Sequence, residues 1–327
     1  MSLPFFHPPL LLYALILLSL SLLLDYVYPF HRGFLLRVHP VHTCYIMSKK
    51  MVRPYAPRPY GVFLASTCLL VHVALLAILL YVASMLMVPW RLIAWFAVAT
   101  WFLKTSFSLR LLVDLGLRVY ETSRRGEWGE TRYWTQQMVR RNVYRLDEEH
   151  VLSAAIESLA ESLVDGFVSP LLYYPFLGLL GPYLQRLANT LDGSVGFKTP
   201  ELCEQGWFSA KLDTLLNYIP ARLAVLYIIL SSMILGLDWR NAWKISRRDH
   251  GLTESLNAGH PISAMAGALD VRLEKPGHYS LGDSLKPVEP GDVERAVRVV
   301  TVSSIIHVLV IVLLLFLFYS FIYPILF

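Results

Sequence analysis

The chain has 327 residues, of which 55% are hydrophobic and only 16% are charged, and its formal net charge is +5. Because soluble domains carry about 25% charged residues, this composition argues against a soluble protein and predicts a membrane protein. The basic residues lie between apolar runs, as in the cytoplasmic loops of membrane proteins, which argues against a nucleic-acid-binding surface.

A spanning helix needs about 20 mostly apolar residues, and the clearest membrane segments are residues 9–27, 62–88, 93–109 and 302–321. The first segment lacks the basic start and the cleavage site of a signal peptide, so we interpret it as a retained membrane helix. The run 223–237 is short and either spans or re-enters the membrane. The run 167–187 is apolar but is broken by prolines and glycines.

Lysine and arginine are concentrated in three segments, 28–61, 110–150 and 238–300, which should therefore all be cytoplasmic. The segment between 150 and 237 then crosses an even number of times or not at all, and the sequence leaves that number open. Residues 270–291 are rich in Gly and Pro and predict irregular structure.

The predicted fold is all-α, a polytopic integral membrane helical bundle in which cytoplasmic helices and loops form the active site. A single domain is predicted over residues 1–327, with a catalytic region at about 139–282. Three widely spaced cysteines without a CxxC pair favour unpaired thiols over a disulfide framework or a thiolate metal site.

The segment 146–165 predicts a helix that Asp147 caps at its N-terminus. Glu157, Glu161 and Asp165 follow at i, i+4 and i+8 and share one face of that helix. This acidic stripe is either a solvated face or a functional one. The absence of interleaved Lys or Arg favours function, because stacked carboxylates repel each other unless a cation binds.

Mg²⁺ is typically held by one or two carboxylates together with substrate phosphates, so Glu157, Glu161 and Asp165 are predicted as both catalytic and metal-binding residues. We expect the stripe to line a cavity open to the cytoplasm. Replacing Glu157 or Asp165 by Ala should abolish activity and leave folding intact, because removing repelling acids relieves strain.

Residues 188–198 combine Asn189, Asp192, two glycines and Lys198, which predicts a polar loop whose backbone could approach phosphate. An ordinary turn is the competing interpretation, since the segment has no Walker A motif. We predict that the segments of Asp192, Lys198 and Asp213 converge on the same cavity, with Lys198 contacting a phosphate.

The next polar segment repeats the helical spacing of the acidic stripe, with Ser209, Asp213 and Asn217 at i, i+4 and i+8. Arg222 follows at the edge of an apolar run, where it either serves the site or reaches toward lipid headgroups. Arg248 and Asn257 come later, in a segment that either clamps phosphate or lies near anionic lipid.

Taken in this order, these blocks resemble the CobD/CbiB family of adenosylcobinamide-phosphate synthases. The resemblance covers most of the chain and rests on His39-Pro-Val41, Glu157-Ser-Leu-Ala-Glu161, Val164-Asp-Gly166, Pro170, Asn189-Thr-Leu-Asp192, Val195-Gly196, Lys198, Ser209-Ala210, Asp213, Asn217, Pro220-Ala-Arg-Leu223, Arg248-Asp249, Asn257 and Ala266-Gly-Ala-Leu269. The chain departs from the family pattern in several places. His42 stands where the family often has Arg, Arg140-Arg-Asn-Val143 where it often has Gly-Arg-Asp-Thr, and Ser162 where it often has Asn. Gly193-Ser194 stands where the family often has Ser-Met, and Ile262 where it often has Glu.

The resemblance implies ATP-dependent condensation of the corrinoid adenosylcobyric acid with (R)-1-amino-2-propanol O-phosphate or a related amino alcohol phosphate. ATP and Mg²⁺ are the implied cofactors, and the cell membrane is the implied location. The resemblance also implies that Asp192 and Asp213 are catalytic. The residues that it implies for binding substrate or phosphate are Asn189, Lys198, Ser209, Asn217, Arg222, Arg248 and Asn257. An acyl phosphate is the expected intermediate, and an acyl adenylate is the alternative. The rival function is that of a non-enzymatic membrane sensor or transporter like AmpE, a relative of the family. The oligomeric state stays open.

Overall fold

The computed structural model describes residues 6–326 and is 76% helical, with almost no strand, as the sequence predicts. The helices in the first half of the chain are α1 (Leu11–Val27), α2 (Gly33–Arg37), α3 (Pro40–Met51), α4 (Arg58–Met85), α5 (Trp90–Lys104), α6 (Arg110–Arg124), α7 (Trp128–Met138) and α8 (Glu148–Leu163).

Those in the second half are α9 (Ser169–Leu172), α10 (Tyr174–Leu177), α11 (Leu180–Val195), α12 (Cys203–Leu216), α13 (Tyr218–Ile234), α14 (Trp239–Asp249), α15 (Gly259–Leu269), α16 (Pro290–Leu317) and α17 (Tyr323–Leu326). π-Helical turns occur at Val164–Val168 and Phe318–Ile322, and 3₁₀ turns at Val143–Arg145 and His250–Leu252. The short pieces α9, α10 and the start of α11 confirm the predicted breaks in the run 167–187.

Strands β1 (Leu273–Lys275) and β2 (Tyr279–Leu281) form an antiparallel hairpin in which Leu273 pairs with Leu281 and Lys275 with Tyr279. The prediction of irregular structure over 270–291 is therefore wrong for these residues. Gly277, with φ +76°, supplies the tight turn, and the two leucines are fully buried. Burial of this apolar pair stabilises the two strands. The surrounding Gly and Pro residues make these strands difficult to predict from the sequence.

The predicted loop over 188–198 is also wrong in its first part, because α11 continues to Val195. Leu187, Leu191 and Val195 recur at i, i+4 and i+8 and are completely buried. Burial of this stripe outweighs the weak helix propensity of the Asn, Asp and Gly between its members. Only the residues after Val195 leave the helix.

The chain folds as two compact units, each assembled from separated segments. The first unit contains the described residues up to Ser108, Ser169–Leu216 and the residues from Leu309 onward. In it α4 packs against α12 and α5, and α11 packs against α3 and α12. Lys104 and Asp25, both nearly buried, approach to 3.5 Å there and satisfy each other's charge.

The second unit contains Leu109–Val168 and Asn217–Val308. Its centre is α8, whose residues from Val151 to Ala160 are all buried and which packs against α6, α7, α15 and β1. Helix α6 lies close to this core at Gly116, where an added Cβ would fall 2.6 Å from the Val297 side chain and 3.1 Å from Leu159.

Among residues 6–326, two helical stretches are long and apolar enough to cross a membrane, Arg58–Met85 and Pro290–Leu326. A third span results if the bent pair Cys203–Leu216 and Tyr218–Ile234 counts as one. In the first two, only 28% and 22% of the apolar window is buried, so most of that surface suits contact with lipid. The chain is a membrane protein.

The predicted segments 62–88 and 302–321 lie largely within these two stretches. Segment 9–27 corresponds to α1, an apolar helix of 17 residues, and segment 93–109 to α5, which has 15 residues and ends at Lys104. Both helices are shorter than a full crossing usually needs. The three cysteines, all within the described residues, are free thiols, as predicted.

Candidate functional site

Helix α8 begins as the sequence predicts. Asp147 is its N-cap, and the Asp147 carboxylate accepts the His150 N–H at 2.9 Å. This hydrogen bond lowers the pKa of Asp147, because it stabilises the charged carboxylate. The apolar residues of α8 are almost completely buried, which fixes the rotation of the helix. They are Leu152, Ile156, Leu159 and Leu163.

Glu157 lies in the middle of this buried helix and is only 5% exposed. Its Oε1 accepts Arg141 Nη2 at 2.9 Å and Ser153 Oγ at 3.0 Å, and its Oε2 accepts the Tyr279 hydroxyl at 2.6 Å. A buried carboxylate is stable only when it is paired and hydrogen-bonded. Arg141, Ser153 and Tyr279 meet both conditions.

The charges around Glu157 differ from those expected of an isolated acidic stripe. Arg141 neutralises the Glu157 carboxylate through a direct ion pair. The repulsion predicted between neighbouring acids therefore does not dominate at this position, and the expectation that Glu157→Ala relieves strain does not hold. Removing the carboxylate would instead leave Arg141 without its partner.

Glu161 and Asp165 occupy different environments from Glu157. Glu161 is exposed and Asp165 is half-buried. Asp165 belongs to the π-helical turn that follows α8, so it lies outside the regular α-helical spacing. π-Turns inside helices are often associated with functional sites.

Within residues 6–326 there is no group of three or more His, Cys, Asp or Glu side chains arranged to hold a metal ion. The acidic stripe is therefore not a complete metal site by itself. Mg²⁺ held by one or two carboxylates plus phosphate oxygens needs no such group. The metal-binding role of Glu157, Glu161 and Asp165 stays a prediction.

Arg222 and Asn257 come together in the second unit, 35 residues apart in sequence. Arg222 Nη1 donates to Asn257 Oδ1 at 3.2 Å and to the Tyr218 carbonyl at 2.6 Å. Its guanidinium also lies 3.5 Å from the centre of the Tyr218 ring. These contacts fix the side chain in place. Asn217, the residue before α13, is 1% exposed.

His260 stacks on His250 next to this pair, with ring centres 4.3 Å apart. Burial, followed by the charges of Arg222 and His250, lowers the pKa of His260 to about 4. His260 is therefore neutral at neutral pH.

Arg248 is bound to two carboxylates. Its Nε and Nη2 donate to Asp249 at 2.5 and 2.8 Å, and its Nη1 donates to Asp283 at 2.6 Å. The Arg248 side chain lowers the pKa of Asp249, which also accepts the Gly282 N–H at 2.8 Å. Arg248 thus holds the end of the hairpin, and its predicted contact with phosphate stays a prediction.

In the first unit, Asn189 on α11 donates from Nδ2 to Asp213 Oδ1 on α12 at 3.1 Å. Two residues predicted to serve the site therefore meet across a helix pair. Arg186, one turn earlier on α11, donates to Asn189 Oδ1 at 3.3 Å. The amide of Asn189 thereby links the Arg186 guanidinium to the Asp213 carboxylate.

The remaining predicted residues of the first unit lie on or next to the same two helices. The Asp192 carboxylate sits against Gly196, where an added Cβ would fall 2.1 Å from its Oδ1. Lys198 is exposed. Ser209 is 1% exposed, and its hydroxyl has no hydrogen-bond partner among the described residues. A buried hydroxyl of this kind is available to a ligand.

Ser153 and Tyr279 lie outside the residues that the sequence predicts for the site, and Arg141 and Asp249 have no role that the sequence predicts. Tyr279 lies 122 residues from Glu157, so helical spacing could not connect the two. The local signal was the acidic stripe without interleaved Lys or Arg, because a buried acid on such a stripe needs a cation from elsewhere.

Comparison with known proteins gives the same family as the sequence blocks. The family described as CobD/Cbib protein matches residues 18–300. The chain belongs to the CobD/CbiB family. A relative from Aeropyrum pernix, named probable cobalamin biosynthesis protein CobD, is 48% identical over 266 residues, which cover 80% of this chain and 81% of the relative.

Two further relatives carry the family name. The probable cobalamin biosynthesis protein CobD of Thermoplasma volcanium is 39% identical over 64% of this chain and 69% of its own length. The cobalamin biosynthesis protein CobD of Dehalococcoides mccartyi is 36% identical over 63% and 67%. No solved structure matches the chain. Membership in this family indicates a role in cobalamin biosynthesis.

Proposed function

We propose that the chain joins adenosylcobyric acid to (R)-1-amino-2-propanol O-phosphate, or to a related amino alcohol phosphate, in an ATP-dependent reaction that gives adenosylcobinamide phosphate. The family match over residues 18–300 supports the pathway. The observation that carries the proposal of catalysis is Glu157, a buried carboxylate held by one cation and two hydroxyl groups. Burial of an ionisable group costs free energy, so a carboxylate that is kept in the core is a candidate catalytic residue.

The proposed reaction has two steps. A carboxylate oxygen of the corrinoid attacks the γ-phosphorus of ATP, and ADP leaves as the acyl phosphate forms. The amine nitrogen then attacks the acyl carbon, inorganic phosphate leaves, and a protein carboxylate accepts the amine proton. Phosphorylation is needed because a free carboxylate has no suitable leaving group, and catalysis then depends on positioning and on charge neutralisation.

The predicted residues supply those functions. Lys198 and Arg222 would neutralise phosphate charge, and the polar side chains of Asn189, Ser209 and Asn257 would orient the substrates by hydrogen bonding. Asp192 and Asp213 are the proposed candidates for accepting the amine proton. Arg248 would contribute to phosphate binding when its pairing with Asp283 opens.

The carboxylate oxygens of Glu157, Glu161 and Asp165 are ligands of the type that Mg²⁺ prefers. Glu157 Oε2 accepts one hydrogen bond, so it keeps acceptor capacity. These residues would hold the ion, which would supply neutralisation of the ATP phosphates. We propose that the site faces the cytoplasm, where ATP is available, because the segments rich in Lys and Arg should lie on that side.

Complementation tests the function directly. A strain lacking this synthase should grow on cobyric acid only when it expresses the chain, whereas cobinamide should support growth with or without it. Failure to rescue growth on cobyric acid, despite confirmed expression in the membrane, would favour a non-enzymatic membrane protein of the AmpE type.

Isotopic labelling tests the chemical route. With oxygen-18 in the cobyric acid carboxylate, label should appear in inorganic phosphate. Label in AMP would indicate adenylation, and label in neither product would exclude both routes. Activity without any nucleotide would contradict the ligase proposal.

The role of Lys198 is tested against a matched lysine. Lys198→Ala should raise the apparent KM for ATP about 10-fold or more, the effect of losing a charge-assisted contact worth about 1.5–3 kcal/mol. Lys211→Ala removes an exposed lysine of α12 and should leave KM unchanged. Equal kinetics for the two variants would refute the assignment.

A further inference from the structure

We propose that Tyr279 is a positioning residue for the reaction, which acts by holding Oε2 of Glu157 from the β1–β2 hairpin. This inference rests on the proposed function, because it assigns Tyr279 a role through a carboxylate placed there in the catalytic set. Tyr279 lies outside the acidic helix and comes to it only through the fold.

The first support is the geometry at Oε2. The Tyr279 hydroxyl lies 2.6 Å from Glu157 Oε2, a distance typical of a charge-assisted O–H···O bond. A tyrosine phenol is protonated at neutral pH and a carboxylate can only accept, so Tyr279 is the donor of this bond.

The second support is that the other strand of the hairpin orients the same carboxylate. The Glu274 N–H donates to Ser153 Oγ at 2.9 Å, and Ser153 Oγ lies 3.0 Å from Glu157 Oε1. The single hydrogen of Ser153 Oγ has two acceptors within reach, Glu157 Oε1 at 3.0 Å and the Glu274 carbonyl at 3.4 Å, and the carboxylate is the closer and the charged one. Strand β1 therefore acts on Oε1 through Ser153, and β2 acts on Oε2 directly.

The third support is the anchoring of the hairpin itself. Gly282, which follows β2, donates its N–H to the buried Asp249 carboxylate at 2.8 Å. Gly282 has φ +94°, and an added Cβ would fall 2.4 Å from the Val271 carbonyl oxygen. The base of the hairpin is thus fixed at two points, which limits movement of Tyr279.

These contacts leave Glu157 with an acceptor position that a ligand could use. Oε1 accepts two hydrogen bonds and Oε2 accepts one, so Oε2 retains an acceptor position whose direction the Tyr279 hydroxyl determines. Loss of the phenol oxygen would free the carboxylate to rotate while its Arg141 pair persists. We expect such rotation to slow the chemical step more than it weakens substrate binding.

The hydrogen bond is tested by a stability cycle that does not depend on activity. Thermal unfolding of the full chain in detergent is measured for wild type, Tyr279→Phe, Glu157→Gln and the double variant. Tyr279→Phe should lower Tm by about 3–6 °C in wild type and by clearly less in the Glu157→Gln background. Additive shifts would refute the contact and overturn the proposal.

The functional role is tested by steady-state kinetics with cobyric acid, the amino alcohol phosphate and ATP. Tyr279→Phe should lower kcat about 10-fold or more and leave the KM values for cobyric acid and the amino alcohol phosphate close to wild type, because the change acts on the proposed Mg²⁺ ligand and not on the residues proposed to bind these two substrates. The matched control Tyr144→Phe removes a hydroxyl from an exposed tyrosine of the same unit and should change neither. A normal kcat in Tyr279→Phe would limit Tyr279 to a structural role and overturn the proposal.

The two measurements separate this inference from the proposed function. A wild-type chain without synthase activity in both assay and complementation would refute the proposed function and, with it, the catalytic part of this inference. In that case a coupled stability cycle would still establish the Tyr279–Glu157 bond as a structural feature.

Discussion

At the scale of single residues, the Glu157 carboxylate is a buried charge, and Arg141 depends on it as an ion-pair partner. Glu157→Ala should lower the free energy of unfolding by about 3 kcal/mol, the lower end of the range for a buried pair that loses one member, because Arg141 is still 19% exposed. Chemical denaturation in detergent measures this change. Glu121→Ala, at an exposed position of α6, should change stability by about 0.5 kcal/mol or less. Equal losses would contradict the paired state of Glu157.

His260 gives a second prediction at this scale, on pH dependence. Its pKa is lowered to about 4 in the folded chain, whereas an unfolded histidine titrates near 6.5. The stability due to neutral His260 is therefore fully present above about pH 6.5 and is lost as pH falls from there toward 4. Thermal unfolding across this range should show a shallower decline for His260→Gln than for wild type. His278→Gln, at an exposed histidine, should retain the wild-type slope, and a retained slope in His260→Gln would refute the prediction.

At the scale of elements, the hairpin is the part that the sequence least suggested. Gly282→Ala should destabilise the chain by more than 2 kcal/mol, because a positive φ costs roughly 1–2 kcal/mol for a residue with a Cβ and a backbone clash adds to it. Gly277→Ala, also at positive φ but with open space around it, should show only the conformational cost. Comparing the two by unfolding in detergent isolates the clash with Val271, and equal losses would show that Gly282 needs only its φ.

Helix α8 and the hairpin also show what a sequence can predict. The helix within 146–165 and its Asp147 cap follow from local rules and are confirmed. The extension of α11 through Asn189 and Asp192 was missed, because the buried stripe from Leu187 to Val195 outweighed local propensity. Of the three partners of Glu157, Ser153 lies one turn earlier on α8, whereas Arg141 and Tyr279 come from outside the helix and reach Glu157 only through tertiary structure.

At the scale of the whole molecule, the exposed thiol offers a measurement of sidedness. Residues 201–204 pack on the segment 28–61: the Glu201 carbonyl accepts the Tyr55 N–H at 2.8 Å, and Glu204 pairs with Arg58 at 3.0 Å. Since that basic segment should be cytoplasmic, Cys203 should lie on the same side.

A membrane-impermeant maleimide should therefore label Cys203 in inside-out vesicles and not in intact cells or spheroplasts. Cys44 and Cys68 are buried, so Cys203→Ser should abolish the labelling and serves as the control. Labelling of intact cells would place this part of the chain on the outer side and contradict the predicted orientation.

Each of the two units is assembled from separated segments of the chain, and this arrangement has a consequence for biosynthesis. As the ribosome delivers the chain, Arg141, Ser153 and Glu157 emerge long before Tyr279, which completes their set of contacts. The first unit also waits for the last part of translation, since His7 Nδ1 meets the Tyr319 hydroxyl at 3.2 Å. A nascent chain stalled before residue 279 therefore holds a Glu157 that lacks its phenol partner, and neither unit can mature as an independent amino-terminal fragment.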